Sequence, residues 1–178
     1  MDLLKQSYTA DLYFHQTEKR PNTMSISSGV ISKSLSPLLH SLLFRANSAP
    51  WTFHLTETTD GNIFRKQLHE NTCIGTTITM PNKVSFGLLL DDLTEEARAI
   101  GAVNTSFVRL DKCGQRRHIG TNTDCIGIRD SILYRMPHAA TMGKGRPSMV
   151  IGGGGAARSA IFALWRWFGS QRSTFPTV

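Results

Sequence analysis

The plainest chemistry in this sequence lies where a short apolar run meets four successive glycines. Gly152, Gly154 and Ala157 fit the pattern G-x-G-x-x-G/A. Met149–Ile151 before them reads as a strand, and the residues after them open a helix. In that context the glycines let backbone approach a pyrophosphate, and the first N–H groups of the helix, which have no partner inside it, meet the negative charge. Gly155 and Ala156 complete the turn. Gly152, Gly154, Gly155, Ala156 and Ala157 are therefore the candidate dinucleotide-binding residues. The acidic or arginine reader of the ribose is expected roughly 20 residues further on, at the end of a second strand. That strand falls at about Ser173–Val178, where the sequence stops, so NADP and NAD fit equally. The Gly143-Lys144-Gly145 stretch has neither the spacing nor the Ser/Thr of a phosphate-binding P-loop.

The other polar candidates read differently when each is taken alone. Ser34 is a loop hydroxyl and Ser36 an ordinary helix cap. Lys83 is a solvated lysine, Asn104 a turn residue at a strand end, and Asp124 a helix cap. None of them, alone, specifies a reaction.

The elements that carry these residues alternate. Ser25–Ser32 reads as a strand. Ser36 and Pro37 start a helix whose apolar face is Leu38, Leu39, Leu42 and Leu43. Trp51–Leu55 is a strand, Asn62–Glu70 a helix and Cys73–Thr79 a β-branched strand. The stretch VSFGLLLDDL after Lys83 reads as helical. Thr94 caps a further helix with Glu95 and Glu96 at its positive end. Two strands flank the turn Asp111–Gly114 as a hairpin. Asp124 caps the helix that follows, and Pro137–Pro147 reads as a linker. Alternation of this kind predicts α/β architecture with mostly parallel sheets. The expected division is a flexible extension over 1–24, a substrate-binding domain over 25–136, a linker over 137–147 and the start of a Rossmann domain over 148–178.

Composition narrows the function. Hydrophobic residues make up 40% and charged residues 19%, so a packed core is expected. The net charge of +7 comes from basic residues spread along the chain, with no run and no aromatic interleaving. That pattern argues for anionic small molecules rather than nucleic acid. No apolar run approaches the ~18 residues that span a bilayer. The amino terminus lacks a basic start followed by an apolar core, so a cytoplasmic protein is expected. Cys73, Cys113 and Cys125 form no CxxC pair, and no His pair sits at ligand spacing. Free thiols and no structural metal are expected.

Read together and in order, S-L-S-P-L-L-H, T-I-T-M-P-N-K, I-G-A-V-N-T and G-T-N-T-D-C-I-G, followed by V-I-G-G-G-G-A-A-R, resemble the shikimate/quinate dehydrogenase family across about 25–168. The forms of G-T-N-T-D-C-I-G-I and T-M-P-N-K-V resemble fungal quinate-pathway members. The resemblance implies a nicotinamide-dependent oxidation of the C3 hydroxyl of shikimate or quinate, or the reverse reduction. It implies that Ser34 and Ser36 hold the substrate carboxylate, that Thr79, Asn104 and Asp124 bind ring hydroxyls, and that Lys83 and Asp124 are the catalytic pair. Lysine beside a carboxylate in a cleft suits that role, because a positioned group must take the hydroxyl proton as hydride leaves. Thr77 and Lys33 depart from the family's usual Asn or Ser and His.

The resemblance also sets up alternatives. Fungal quinate-pathway repressors share this fold and sense a metabolite, so a ligand-binding module without catalysis is one. An inactive remnant is the other, because the family's carboxyl-terminal half does not follow Val178. On this reading the chain as written has no useful dehydrogenase activity. The apolar helix Ser159–Phe168 is then expected to stay exposed, to pack on the first domain or to drive association.

Overall fold

The computed structural model describes residues 22–28, 34–171 and 173–174. Of the extension read over 1–24, residues 22–24 belong to a strand and the rest lie outside the described residues, as do residues 29–33, Lys33 among them, and residues 172 and 175–178. A six-stranded sheet forms the centre, in the order β2-β1-β3-β5-β6-β4. Its strands are β1 (Asn22–Ser28), β2 (Trp51–Glu57), β3 (Cys73–Ile78), β4 (Asp92–Leu93), β5 (Thr105–Leu110) and β6 (Arg116–Thr121). The architecture is α/β as expected, but the sheet is mixed. β1 runs parallel to β2 and β3, and β4 parallel to β6, while β5 is antiparallel to both β3 and β6. The hairpin turn at Asp111–Gly114 reverses the chain between β5 and β6: Asp111 Oδ1 accepts from the amides of Cys113 and Gln115, closing it.

Helices α1 (Ser36–Ala46), α2 (Gly61–Leu68), α3 (Glu95–Ile100) and α4 (Asp124–Arg135) join or follow these strands. Thr94 caps α3 as predicted, its hydroxyl accepting from the Ala97 amide. Asp60, which the sequence reading passed over, caps α2 through the Asn62 amide. Two other predicted caps are not formed. Ser36 is the first residue of α1 and its side chain caps nothing; the Ser34 hydroxyl accepts from the Ser36 amide instead, at 3.2 Å. Asp124 is the first residue of α4, preceded by Thr123, because its carboxylate is drawn to other donors.

The stretch after Lys83 is not a helix. It contains one 3₁₀ turn at Phe86–Leu89 and then enters β4. Phe86 drives this, because it is buried and stacks on Phe64 at 4.4 Å between ring centres. With Ile78, Leu68, Ala97 and Val103 they make the main core. The leucine face predicted for α1 does not pack on the sheet. Leu38, Leu39, Leu42 and Leu43 are exposed, and His40 and Phe44 face β2, with His40 stacked on Phe53 at 4.1 Å.

The stretch read as a linker contains a short helix, α5 (Ala139–Met142), with Ala139 buried. Strand β7 (Ser148–Met149) leads into the glycine turn and α6 (Gly155–Phe168), and pairs in parallel with β8 (Ser173–Thr174). Of the three fates expected for α6, the structure shows packing on the first domain. Ala163 and Phe162 meet Ile100, Ala102, Cys125 and Ile126, and Arg129 lies over the Trp167 ring at 4.9 Å. Trp165 stays exposed. No helix among the described residues is long and apolar enough to cross a membrane.

Candidate functional site

Strand direction gathers the candidate residues at one edge of the sheet. Ser27 of β1 is level with Ile78 of β3, so both parallel strands end at that edge. Thr77 of β3 is level with Thr105 at the start of β5, and Thr105 with Thr121 at the end of β6. Thr79 and Lys83 follow β3, Asn104 precedes β5 and Asp124 follows β6. Ser34 and Ser36 stand at the start of α1, after β1. Ligands of α/β sheets bind at such an edge, beyond the carboxyl ends of parallel strands.

Four side chains meet there. Lys83 Nζ donates to Asp124 Oδ2 at 2.5 Å, with the lysine side chain 12% exposed and the carboxylate 28%. Asn104 Nδ2 donates to Asp124 Oδ1 at 2.7 Å and to Thr123 Oγ1 at 2.9 Å. Asn104 Oδ1 accepts from the Thr123 amide at 2.9 Å. Both carboxylate oxygens of Asp124 therefore have donors, and both amide hydrogens of Asn104 are used. The Asn104 oxygen keeps one lone pair for a further donor. Backbone bonds fix this group: the Val103 amide donates to Lys83 O at 2.7 Å, and the Ile78 amide to Asn104 O at 2.7 Å. Thr79 is exposed, and its carbonyl accepts from the Asn82 amide across the turn that contains the cis Met80–Pro81 bond.

Three buried polar residues, missed by sequence reasoning, support these. Asn82, 2% exposed, donates from Nδ2 to Thr58 O at 2.8 Å and anchors the turn before Lys83. Asn122, also 2% exposed, donates to Ala102 O at 2.9 Å. Its Oδ1 accepts from the Cys125 amide at 3.2 Å and from the hydroxyl of Ser159 at 3.1 Å. Asn122 thus ties the segment before Asn104, the start of α4 and the side of α6 together. The signal was present in T-N-T-D, but nothing in the pattern says which of its polar residues turns inward. Cys125 beside Asp124 is a bystander: burial pushes its thiol up to about 11.

The glycine turn stands open at the amino end of α6. Gly152 has φ +126°, a conformation that favours glycine. A Cβ at Gly153 or Gly154 would meet nothing within 4 Å, and no side chain caps the helix. An anion can therefore reach the first N–H groups of α6, and the turn fits a pyrophosphate. Gly155 differs, because a Cβ there would stand 3.0 Å from Lys83 Cβ and 3.2 Å from Lys83 Cδ.

The sequence model of the shikimate dehydrogenase substrate binding domain matches residues 26–106. Over 152 residues the chain is 40% identical to the quinate dehydrogenase of Emericella nidulans, covering 80% of this chain and 46% of that protein. Residues 26–106 belong to the shikimate dehydrogenase substrate binding domain family. Among solved structures it is similar to the dehydroquinate dehydratase and shikimate dehydrogenase of S. pombe AroM (31% identity, TM-score 0.71, 88% of this chain and 29% of that one). It is also similar to shikimate dehydrogenase 1 of Peptoclostridium difficile (25% identity, TM-score 0.74, 88% and 55%). The chain spans about half the length of that quinate dehydrogenase. Ser34, Ser36, Thr79, Lys83 and Asn104 lie within the matched domain, and Asp124 lies beyond it.

Proposed function

We propose that this chain binds shikimate or quinate at the sheet edge and contributes the proton-transferring pair of an NAD(P)-dependent dehydrogenase acting on the C3 hydroxyl. The Lys83–Asp124 contact at 2.5 Å carries the reading. A cyclic polyol carboxylate needs many hydroxyl and amide partners around one anionic group, and the edge offers Ser34, Ser36, Thr79, Asn104 and Asp124. Ser34 and Ser36, with the start of α1, suit the carboxylate. Thr79, Asn104 and Asp124 suit the ring hydroxyls.

When bound, the nicotinamide ring of NAD or NADP accepts or returns the hydride. The residues that would hold its pyrophosphate are Gly152, Gly154, Gly155, Ala156 and Ala157, through backbone N–H groups. NADP and NAD suit this turn equally, because it meets only the pyrophosphate they share.

The proton steps follow from the pair. Ammonium and carboxylate together form the proton-donating state, which serves reduction: Nζ gives its proton to the carbonyl oxygen as hydride arrives at carbon. For oxidation the pair must hold one proton fewer, so that Nζ can take the hydroxyl proton as hydride leaves. Asn104 keeps the Asp124 carboxylate turned toward Lys83 in both directions. The test is a chimera joining this chain to the carboxyl-terminal half of the Emericella nidulans quinate dehydrogenase, followed at 340 nm. Lys83→Ala should lower kcat by roughly 10²–10⁴-fold with a smaller effect on KM. An unchanged kcat would remove Lys83 from the proton-transferring role and leave it a structural partner of Asp124.

A further inference from the structure

The dinucleotide fingerprint leaves its fourth position free, yet here that position is Gly155, and the structure gives it a second task. Gly155 is buried at the first turn of α6, and its α-carbon faces the aliphatic stem of Lys83. An added Cβ would stand 3.0 Å from Lys83 Cβ, 3.2 Å from Lys83 Cδ and 3.4 Å from Ala102 Cβ. The first distance is tighter than nearly all contacts in a well-packed interior, so the stem or the helix would have to give by a few tenths of an ångström. Two bonds hold the helix in this place: the buried Ser159 hydroxyl donates to Asn122 Oδ1 at 3.1 Å, and Arg158 Nη1 donates to Gly101 O at 3.3 Å. On the far side of the stem, Nζ reaches Asp124.

We propose that Gly155 is a positioning residue for Lys83: its missing side chain lets the helix that carries the glycine turn lie on the lysine stem and aim Nζ at Asp124. The cofactor helix and the proton-transferring lysine are then one packed unit. Whatever displaces the helix displaces the amine. This deepens the reading of Lys83 given above and rests on it for its catalytic meaning. The contact itself can be tested without substrate or cofactor.

The experiment is competitive acetylation of the folded chain with N-hydroxysuccinimide acetate. Mass spectrometry then compares the rate at Lys83 with that at Lys112, which is exposed in the β5–β6 turn. In Gly155→Ala, Lys83 should label roughly fivefold faster or more, as expected when a side chain is forced out of its staggered well. Its melting temperature should stay within about 4 °C of the parent. Gly127→Ala is the control. It adds the same methyl to α4, where a Cβ meets nothing within 4 Å, and should change neither rate. Ser159→Ala, which removes the tether without adding volume, should also raise Lys83 labelling. Unchanged Lys83 labelling in folded Gly155→Ala overturns the proposal. If that variant does not fold, unchanged labelling in Ser159→Ala overturns it. The chimera's turnover reports on the dehydrogenase reading separately, so the two can fail independently.

Discussion

Asn104 Nδ2 stands 2.7 Å from Asp124 Oδ1, on the carboxylate oxygen that Lys83 does not use. One carboxylate is thereby held between an ammonium and an amide, with Thr123 closing the ring of bonds on the Asn104 side. The amide is as much a part of the pair as its two charged members.

Removing it should be felt in stability as well as in binding. Asn104→Ala leaves Asp124 Oδ1 without its protein donor and strips Thr123 of two bonds. A loss of about 1–3 kcal/mol is expected, because one of the bonds is to a charged acceptor. Urea unfolding of the chain measures it. A loss indistinguishable from zero would mean that water replaces the amide at no cost.

Core and surface apolar side chains should separate cleanly. Phe64 is fully buried against Phe86, so Phe64→Ala should cost about 3–5 kcal/mol. Leu42 on α1 is 54% exposed, and Leu42→Ala should stay within about 1 kcal/mol of the parent. Equal costs would show that the leucine face of α1 is covered.

His118 supplies a pH dependence. It is 6% exposed, and burial holds its imidazole below the usual histidine range. The Leu68 carbonyl and Asp91 favour its protonation, while Arg116 and His69 oppose it. The folded state therefore binds this proton less readily than the unfolded chain. The two states bind equally above the unfolded value of about 6.5, and stability falls as pH drops from there toward the lower folded value. The parent should thus lose more stability than His118→Gln between pH 7.5 and 5. Parallel urea midpoints for the two proteins would contradict this.

Much of the site could be read before the structure. The glycine turn and the four polar motifs carry their own context, and strand, turn and cap chemistry placed β2, β3, the hairpin and α3 within a few residues. The failures share a cause. Ser36 and Asp124 were read as caps because local pattern favours Ser and Asp there, but tertiary donors and a neighbouring hydroxyl took over. Leucine spacing on α1 suggested a core face, yet the aromatic pair His40 and Phe44 packs on β2. Phe86 broke the predicted helix because its ring belongs on Phe64. Asn122 and Ser159 were invisible because they lie 37 residues apart and only the fold brings them together. In sequence Gly155 only completes a phosphate-binding turn, and the position of Lys83 alone shows what fills the space beside it.

The central claim is that this sheet edge holds a cyclic polyol carboxylate through Asp124 and its neighbours. Isothermal titration of the purified chain with quinate and with shikimate tests it most directly. Saturable heat is expected with at least one of them at millimolar concentration or below, and Asp124→Ala should weaken it roughly tenfold or more, the scale of about 1.4 kcal/mol. No heat from either ligand at millimolar concentration, or binding indifferent to Asp124, would contradict the account.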